Sequence, residues 1–287
     1  MNNESELNLT SIQSVLINQK KPLILFVLVA TLLATITSFF FLPKQYYAGS
    51  TLLPVNAMLT DKSRLFNNNI QELYSVYGTA DDLDRIYSIA KAGNILSFLT
   101  DSLHLVEHYG ITGPASSSKP KAIAQLKKHL QIIKTENGAL QIDAWDTNAE
   151  MAADITNLLV YKTEAIGKEL QQQAYQSIID QVQVSIDHKK KNYHQLQDSL
   201  NNMDITAAAP LANTCSELLT RIERDEKILD EVNLAMDLRQ PTVLILEKAY
   251  PSFKADKPKH VVIIISAFIS SLFFAIIALV LFNRFKQ

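Results

Sequence analysis

Across 287 residues there is one cysteine, one tryptophan and only seven glycines. The lone cysteine, Cys215, cannot form an internal disulfide and leaves the redox compartment open. Scarce glycine disfavours phosphate-cradling loops, and no G-x-x-x-x-G-K-[ST] sequence occurs. Neither sign of charge dominates, the formal net charge being −2, so overall charge gives no support to nucleic-acid or general polyanion binding. Combinations of Ser, His and Asp exist, but none sits in a nucleophile-elbow context. The nearest approach to a metal motif is His104-Leu105-Val106-Glu107-His108, which matches H-x-x-E-H. On a continuous helix its two histidines would share a face. A catalytic zinc would also need a third protein ligand and a cleft, and Gly110 ends the helix at once. These histidines read as surface or half-buried groups near a helix C-terminus. The sequence points to no catalytic residue, no cofactor and no metal site, and so to no enzyme.

What the chain does have is two long apolar blocks. Leu23–Leu42 and Val261–Phe282 carry no charge, and each is about the ~20 residues that a helix needs to cross a ~30 Å hydrocarbon core. Bulky Phe39-Phe40-Phe41 stands where a signal peptide would need small cleavage-site residues, which argues against removal of the first block. The expected organisation is a two-span membrane protein. Lys20-Lys21 precede the first span and only Lys44 closely follows it; Arg284 and Lys286 follow the second, and Lys254, Lys257 and Lys259 precede it. Because lysine and arginine count mainly in short loops, both short ends read as cytoplasmic and the long middle as translocated. Small residues recur every four positions in both spans, as Ala30, Ala34, Ser38 and Ala267, Ser271, Ala275, a spacing that lets helices approach closely in lipid.

Between the spans, the stretch Thr147–Arg239 dominates. Thr147-Asn148-Ala149-Glu150 has the form of a capping box at a helix start. From Tyr175 the apolar positions follow steps of four and three through Ile179, Val182, Ile186, Tyr193, Leu196, Leu200 and Met203, with a polar interruption at Lys189. The same rhythm returns in Leu211, Cys215, Leu218, Ile222, Leu229, Val232 and Met236, interrupted at Asp225. A seam of that period pairs helices lengthwise, and Asp204–Ala209 is short enough to reverse the chain. Antiparallel folding sets Met203 beside Leu211, Leu196 beside Leu218, Val182 beside Val232 and Lys189 against Asp225. A polar pair facing itself across a seam specifies register. Cys215 then reads as a small buried seam residue. His188 and Lys189-Lys190-Lys191 form a basic face, either solvated or touching an anionic glycan or a neighbouring subunit.

The rest supplies a base. Tyr46–Val55 reads as a strand, Thr60–Asn69 as a loop, and a helix follows Thr79 with acids in its first turn and Leu83, Ile86 and Ile89 inward. After Gly93-Asn94, a second helix turns Ile95, Leu96, Phe98, Leu99, Leu103 and Val106 toward the core. Residues 110–120 read as a loop and Lys121–Lys128 as a short helix. Strands 130–134 and 140–145 flank Asn137-Gly138 as a hairpin. The long helix begins with a broad stripe of Ala152, Ile155, Leu158, Leu159 and Ile166, suited to packing on a sheet. A last strand starts at Thr242, and Pro251 and Pro258 lead to the second span.

The expected fold is an α+β membrane protein in which two transmembrane helices flank a membrane-proximal α/β base domain bearing a long protruding antiparallel helical hairpin. The segments are a tail at 1–22, the first span at 23–42, base at 43–146, long helix and hairpin at 147–239, final strand and proline-containing approach at 240–260, second span at 261–282 and a tail at 283–287.

This plan resembles the Wzz-type chain-length determinants, or polysaccharide co-polymerases. The resemblance lies in Tyr46–Val55 directly after the span, in Leu140–Leu159 with Asn157 near its end, and in Ala249-Tyr250-Pro251 through Lys257-Pro258-Lys259. The second-span approach has fewer prolines than is usual there, and the second span has no glycine, its small positions being Ala267, Ser271 and Ala275. The resemblance implies a non-enzymatic regulator of O-antigen or related surface-glycan length in the inner membrane, with the central domain periplasmic. It implies a homo-oligomeric ring partnered with a membrane polysaccharide polymerase and the lipid bilayer, and the growing glycan as a further contact. The alternative class is a two-span periplasmic sensor or adaptor signalling through a separate partner.

Overall fold

The computed structural model describes residues 20–55, 78–201, 205–237 and 241–286. The loop expected at Thr60–Asn69 and the pairing of Met203 with Leu211 lie outside them. In chain order the elements are α1 (Lys20–Phe40), β1 (Gln45–Pro54), α2 (Ala80–Ala90), α3 (Gly93–Ser102), α4 (Leu105–His108), α5 (Ala115–His129), β2 (Leu130–Lys134), β3 (Leu140–Asp146), α6 (Ala149–Asn201), α7 (Ile205–Asp237), β4 (Val243–Glu247), β5 (Ala255–Lys257) and α8 (His260–Lys286). They divide into two units, one of Met1–Ala48, Trp145–Ala152 and Pro251–Gln287, the other of Gly49–Ala144 and Ala153–Tyr250.

The first unit holds α1 and α8. Lys20–Phe40 and His260–Leu279 are long and apolar enough to cross a membrane. They pack along each other, with Phe26 stacked on Phe274 near one end and Phe39 stacked on His260 near the other. Val27, Ser38, Ser271 and Ala275 are buried in this pair. Threonines 31 and 35 in α1 donate their hydroxyls to carbonyls one turn back, which keeps those polar groups satisfied in an apolar setting. Beyond the helices, β5 pairs antiparallel with the start of β1 through Gln45–Lys257 and Tyr46–Ala255.

The second unit is the base with the helical hairpin. Its sheet runs β2-β3-β1-β4. Alternation along β1 buries Ala48, Ser50, Leu52 and Pro54, as a strand half-covered on one face requires. The hairpin β2–β3 keeps the register Leu130↔Ala144 to Lys134↔Leu140. Its loop has three residues: Thr135 N–H donates to Ala139 O (2.8 Å), Gly138 N–H to Thr135 O (3.2 Å), and Gly138 alone takes a positive φ, +75°. Asn137-Gly138 therefore marks the turn but in the three-residue form with a left-handed third position.

The reversal expected at Asp204–Ala209 is helical from Ile205, the first residue of α7. Three further expectations for the helices change. Thr79 caps α2 through a full capping box with Asp82, and Leu83, Ile86 and Ile89 are buried. The next helix, however, stops at Ser102. His104 is left-handed (φ +48°), and α4 restarts in a different phase. That rotation buries Leu105 completely and leaves Leu103 and Val106 only half-buried. It also removes the continuous helix that would have put His104 and His108 on one face. Gly110 (φ +62°) closes α4: Gly110 N–H donates to Glu107 O and Ile111 N–H to Val106 O, the paired bonds of a Schellman cap.

The second change is at residues 110–120, where the serine run is helical from Ala115. Ser118 Oγ–H donates to Pro114 O and the helix tolerates Pro120 near its start. The third is at the start of α6, where the cap is Asn148 rather than Thr147. Asn148 Oδ1 accepts from the N–H groups of Glu150 (2.8 Å) and Met151 (3.3 Å), while Asp146 accepts from Asn148 N–H. Asparagine is at least as good a cap as threonine, and Asp146 holds it in place.

Candidate interaction site in the hairpin and its roots

The helix α6 has 53 residues, about 80 Å at ~1.5 Å per residue. Its first part lies in the base, where Ile155, Thr156, Leu159, Val160 and Thr163 are buried and Leu158 and Ile166 half-buried. Two threonines on this stripe are invisible to an apolar count. Thr163 fits because its hydroxyl donates to Leu159 O at 2.7 Å.

Further along, α6 and α7 run antiparallel. Tyr175, Ile178, Ile228 and Val232 form a buried cluster, with Ile179, Val182, Ala235 and Met236 packed against it. Cys215, Ile186 and Ile222 are buried as well. The sequence seam runs through Ile179 and Leu229, which are half-buried, while their neighbours Ile178 and Ile228 are buried in the cluster. A helix with 3.6 residues per turn drifts about 20° per heptad against a strict 3.5 repeat, so the central position changes by one residue along the length.

Within this apolar seam lies a polar knot. Asp225, 8% exposed, receives Lys189 Nζ at 2.5 Å and Ser185 Oγ–H at 3.0 Å on the same carboxylate oxygen. Two donors explain how a carboxylate is tolerated there. Lys190 reaches Glu226 alongside at 2.7 Å, but both of those side chains are about half exposed. Ser185 was not singled out in the sequence because one serine off the seam carries no periodic signal.

Where the hairpin joins the base, Gly167 comes so close to Thr242 that a Cβ would lie 2.7 Å from Thr242 Oγ1. Asn157 forms a two-point clamp on the buried backbone of Ala249, donating to its carbonyl (3.0 Å) and accepting from its N–H (3.2 Å). The approach to the second span carries Pro251, exposed, and Pro258, half-buried with a cis Lys257–Pro258 peptide. In that unit Trp145 donates to Asp256 (2.8 Å), lies under Lys257 Nζ (3.7 Å from the ring centroid) and tilts against Tyr47. Ala267 is half-buried and Ser271 and Ala275 buried. Ser38 Oγ sits 2.7 Å from His260 Nδ1.

The structure thus brings Lys189 and Asp225 together; Pro251 and Pro258 bracket β5, and Ala267, Ser271 and Ala275 stand four residues apart on α8. Burial pushes the Tyr175 phenol above its ordinary value of 10.0, an effect opposed by the hydrogen bond from Gln171. Among the described residues, no group of three His, Cys, Asp or Glu side chains could hold a metal ion.

Residues 5–88 match the family model Wzz, described as "Chain length determinant protein". The Wzz resemblance is matched over that stretch. It spans α1, β1 and most of α2. No curated protein matches the sequence. Among solved structures the chain is similar to a full-length bacterial polysaccharide co-polymerase (14% identity, 97% of this chain and 98% of that one, TM-score 0.42). It is also similar to a fragment of WzzB, a polysaccharide co-polymerase from Salmonella Typhimurium (13% identity, 75% and 100%, TM-score 0.40). A third is a mutant of the Shigella flexneri lipopolysaccharide O-antigen chain-length regulator (12%, 74% and 100%, TM-score 0.32). At those scores the likenesses add no weight to the Wzz match.

Proposed function

We propose that this chain regulates the length of a membrane-assembled polysaccharide, O-antigen or a related surface glycan, without catalytic chemistry of its own. The observation that carries this is the chain-length-determinant match over residues 5–88. It is supported by two span-length helices, α1 and α8, and by a 53-residue helix folded back on α7. In this reading the hairpin, held by its apolar seam and by the Lys189–Asp225–Ser185 knot, contributes reach and surface.

In this reading several copies associate in the inner membrane as a ring beside a polysaccharide polymerase, with the central domain periplasmic. The basic residues of the short flanking segments, Lys20, Lys21, Arg284 and Lys286, support that orientation, because a long central segment is translocated largely regardless of its own lysines. The small-residue faces of α1 and α8 serve the packing of the two spans. The exposed flanks of α6 and α7 are the surfaces available to a neighbouring copy. Isolation of the intact chain from membranes under mild cross-linking should give a ladder of multiples of its 32.2 kDa mass and recover the polymerase. A strictly monomeric product with no polymerase would contradict the partnership.

A further inference from the structure

Phe253 is fully exposed, at 105% of its reference area, in the loop that precedes α8. A phenylalanine in that position forgoes all of its burial in water, which is unusual for so large an apolar side chain. It is seven residues from His260, the first residue of the second span-length helix. Phe40 and Phe41, at the corresponding end of α1, are also strongly exposed, at 82% and 77%.

The charges around these rings have one predominant sign. Residues 41–48 and 251–259 contain Lys44, Lys254, Lys257 and Lys259 against a single acid, Asp256. Asp256 accepts the Trp145 indole N–H, and Lys257 lies over the same ring. Lys44, Lys254 and Lys259 remain exposed. Apolar rings with free ammonium groups on flexible stems are the combination that seats a segment at the boundary between acyl chains and headgroups. Lysines beside a span are attracted to anionic lipid over roughly a Debye length.

We infer that the segment 251–259 around β5 is a membrane-interface anchor, inserting Phe253 at the acyl boundary while Lys44, Lys254 and Lys259 engage anionic phospholipid headgroups. This rests on the reading of α1 and α8 as membrane spans. It adds a lipid-composition dependence that the spans alone do not require.

The test uses the full chain reconstituted in phosphatidylcholine vesicles with or without phosphatidylglycerol. Cys215→Ala gives a background for Phe253→Cys, Val184→Cys and Phe274→Cys, each carrying an environment-sensitive fluorophore. Val184 is an exposed hairpin position and Phe274 lies within α8. Headgroup-proximal spin-labelled lipid should quench the 253 probe several-fold more than the 184 probe, and more strongly with phosphatidylglycerol present. Replacing Lys44, Lys254 and Lys259 with glutamine should abolish the phosphatidylglycerol dependence.

Quenching at 253 no greater than at 184, with deep-labelled lipid still quenching 274, would overturn the anchor and leave the spans intact. No quenching at 274 would instead overturn the span reading. A 253 probe shielded only at high protein density would assign the loop to a second copy and also overturn the anchor. If Cys215→Ala does not fold, Phe253→Trp in the otherwise native chain gives the same comparison through brominated lipid, read against Trp145 alone.

Discussion

Lys189 Nζ and Asp225 Oδ2 lie 2.5 Å apart between α6 and α7, each as the polar interruption of its own apolar seam. Ser185 completes the arrangement on the same oxygen. The two antiparallel helices cannot slide by a turn without parting this pair, so it pins the register that the surrounding aliphatic side chains would tolerate losing.

Asp225→Ala should therefore destabilise the hairpin by about 2 kcal/mol, since a largely buried ammonium loses its partner. The double change Lys189→Met with Asp225→Leu should recover most of that stability while relaxing register. Amide hydrogen exchange along α6 and α7 reads the first effect. Disulfide trapping between cysteines introduced one turn out of register reads the second, and should succeed only in the double variant.

Gly167 offers a test in which sign decides. Alanine in a helix interior is favoured over glycine by about 1 kcal/mol. Here the added methyl would meet Thr242 Oγ1 at 2.7 Å and Thr242 Cβ at 3.2 Å. Gly167→Ala should destabilise by about 1 kcal/mol, as overpacking does. With Thr242→Ala alongside, the change should become neutral or stabilising. Thermal unfolding of the purified chain distinguishes the two.

The clamp from Asn157 to Ala249 predicts a local effect. Asn157→Ala leaves both backbone groups of a buried residue without their side-chain partners, at a cost of about 1–3 kcal/mol. Protection of the Ala249 amide should fall before that of the sheet. Asn157→Asp should not rescue it, because a carboxylate keeps the acceptor but loses the N–H that reaches Ala249 O.

Tyr175 makes the seam alkali-sensitive. Its phenol titrates above 10.0 in the folded chain because burial penalises the phenolate, with the Gln171 hydrogen bond acting in the opposite sense. The folded state then holds the proton more tightly than the unfolded state. The stabilisation is fully present below pH 10 and is lost as pH rises through the folded value. Tyr175→Phe should flatten that part of the stability profile, which denaturant unfolding at a series of alkaline pH values would show.

Those parts of the fold that depend on period and punctuation are legible in the sequence. Lys189 and Asp225 could be paired because each broke a regular seam, and the β2–β3 hairpin could be placed because Asn137-Gly138 interrupts two strands. The seam centre at Ile178 and Ile228 could not, since helical drift is a property of the packed pair. His104 reads as helical because nothing in residues 102–108 announces a left-handed break. Thr156 and Thr163 do not register in an apolar count, since what makes them fit inside is hydrogen bonding such as that of Thr163 to Leu159 O. The clamp made by Asn157 is not legible locally, because its partner Ala249 lies ninety-two residues away.

A role in setting glycan length is read from the length distribution of the surface polysaccharide on a denaturing gel. The comparison is between a strain lacking this gene and the same strain carrying it on a plasmid. Deletion should leave polymer present but spread over lengths without a preferred cluster, and the plasmid copy should restore the cluster. An identical ladder in both strains would rule out a role for this chain in setting that length.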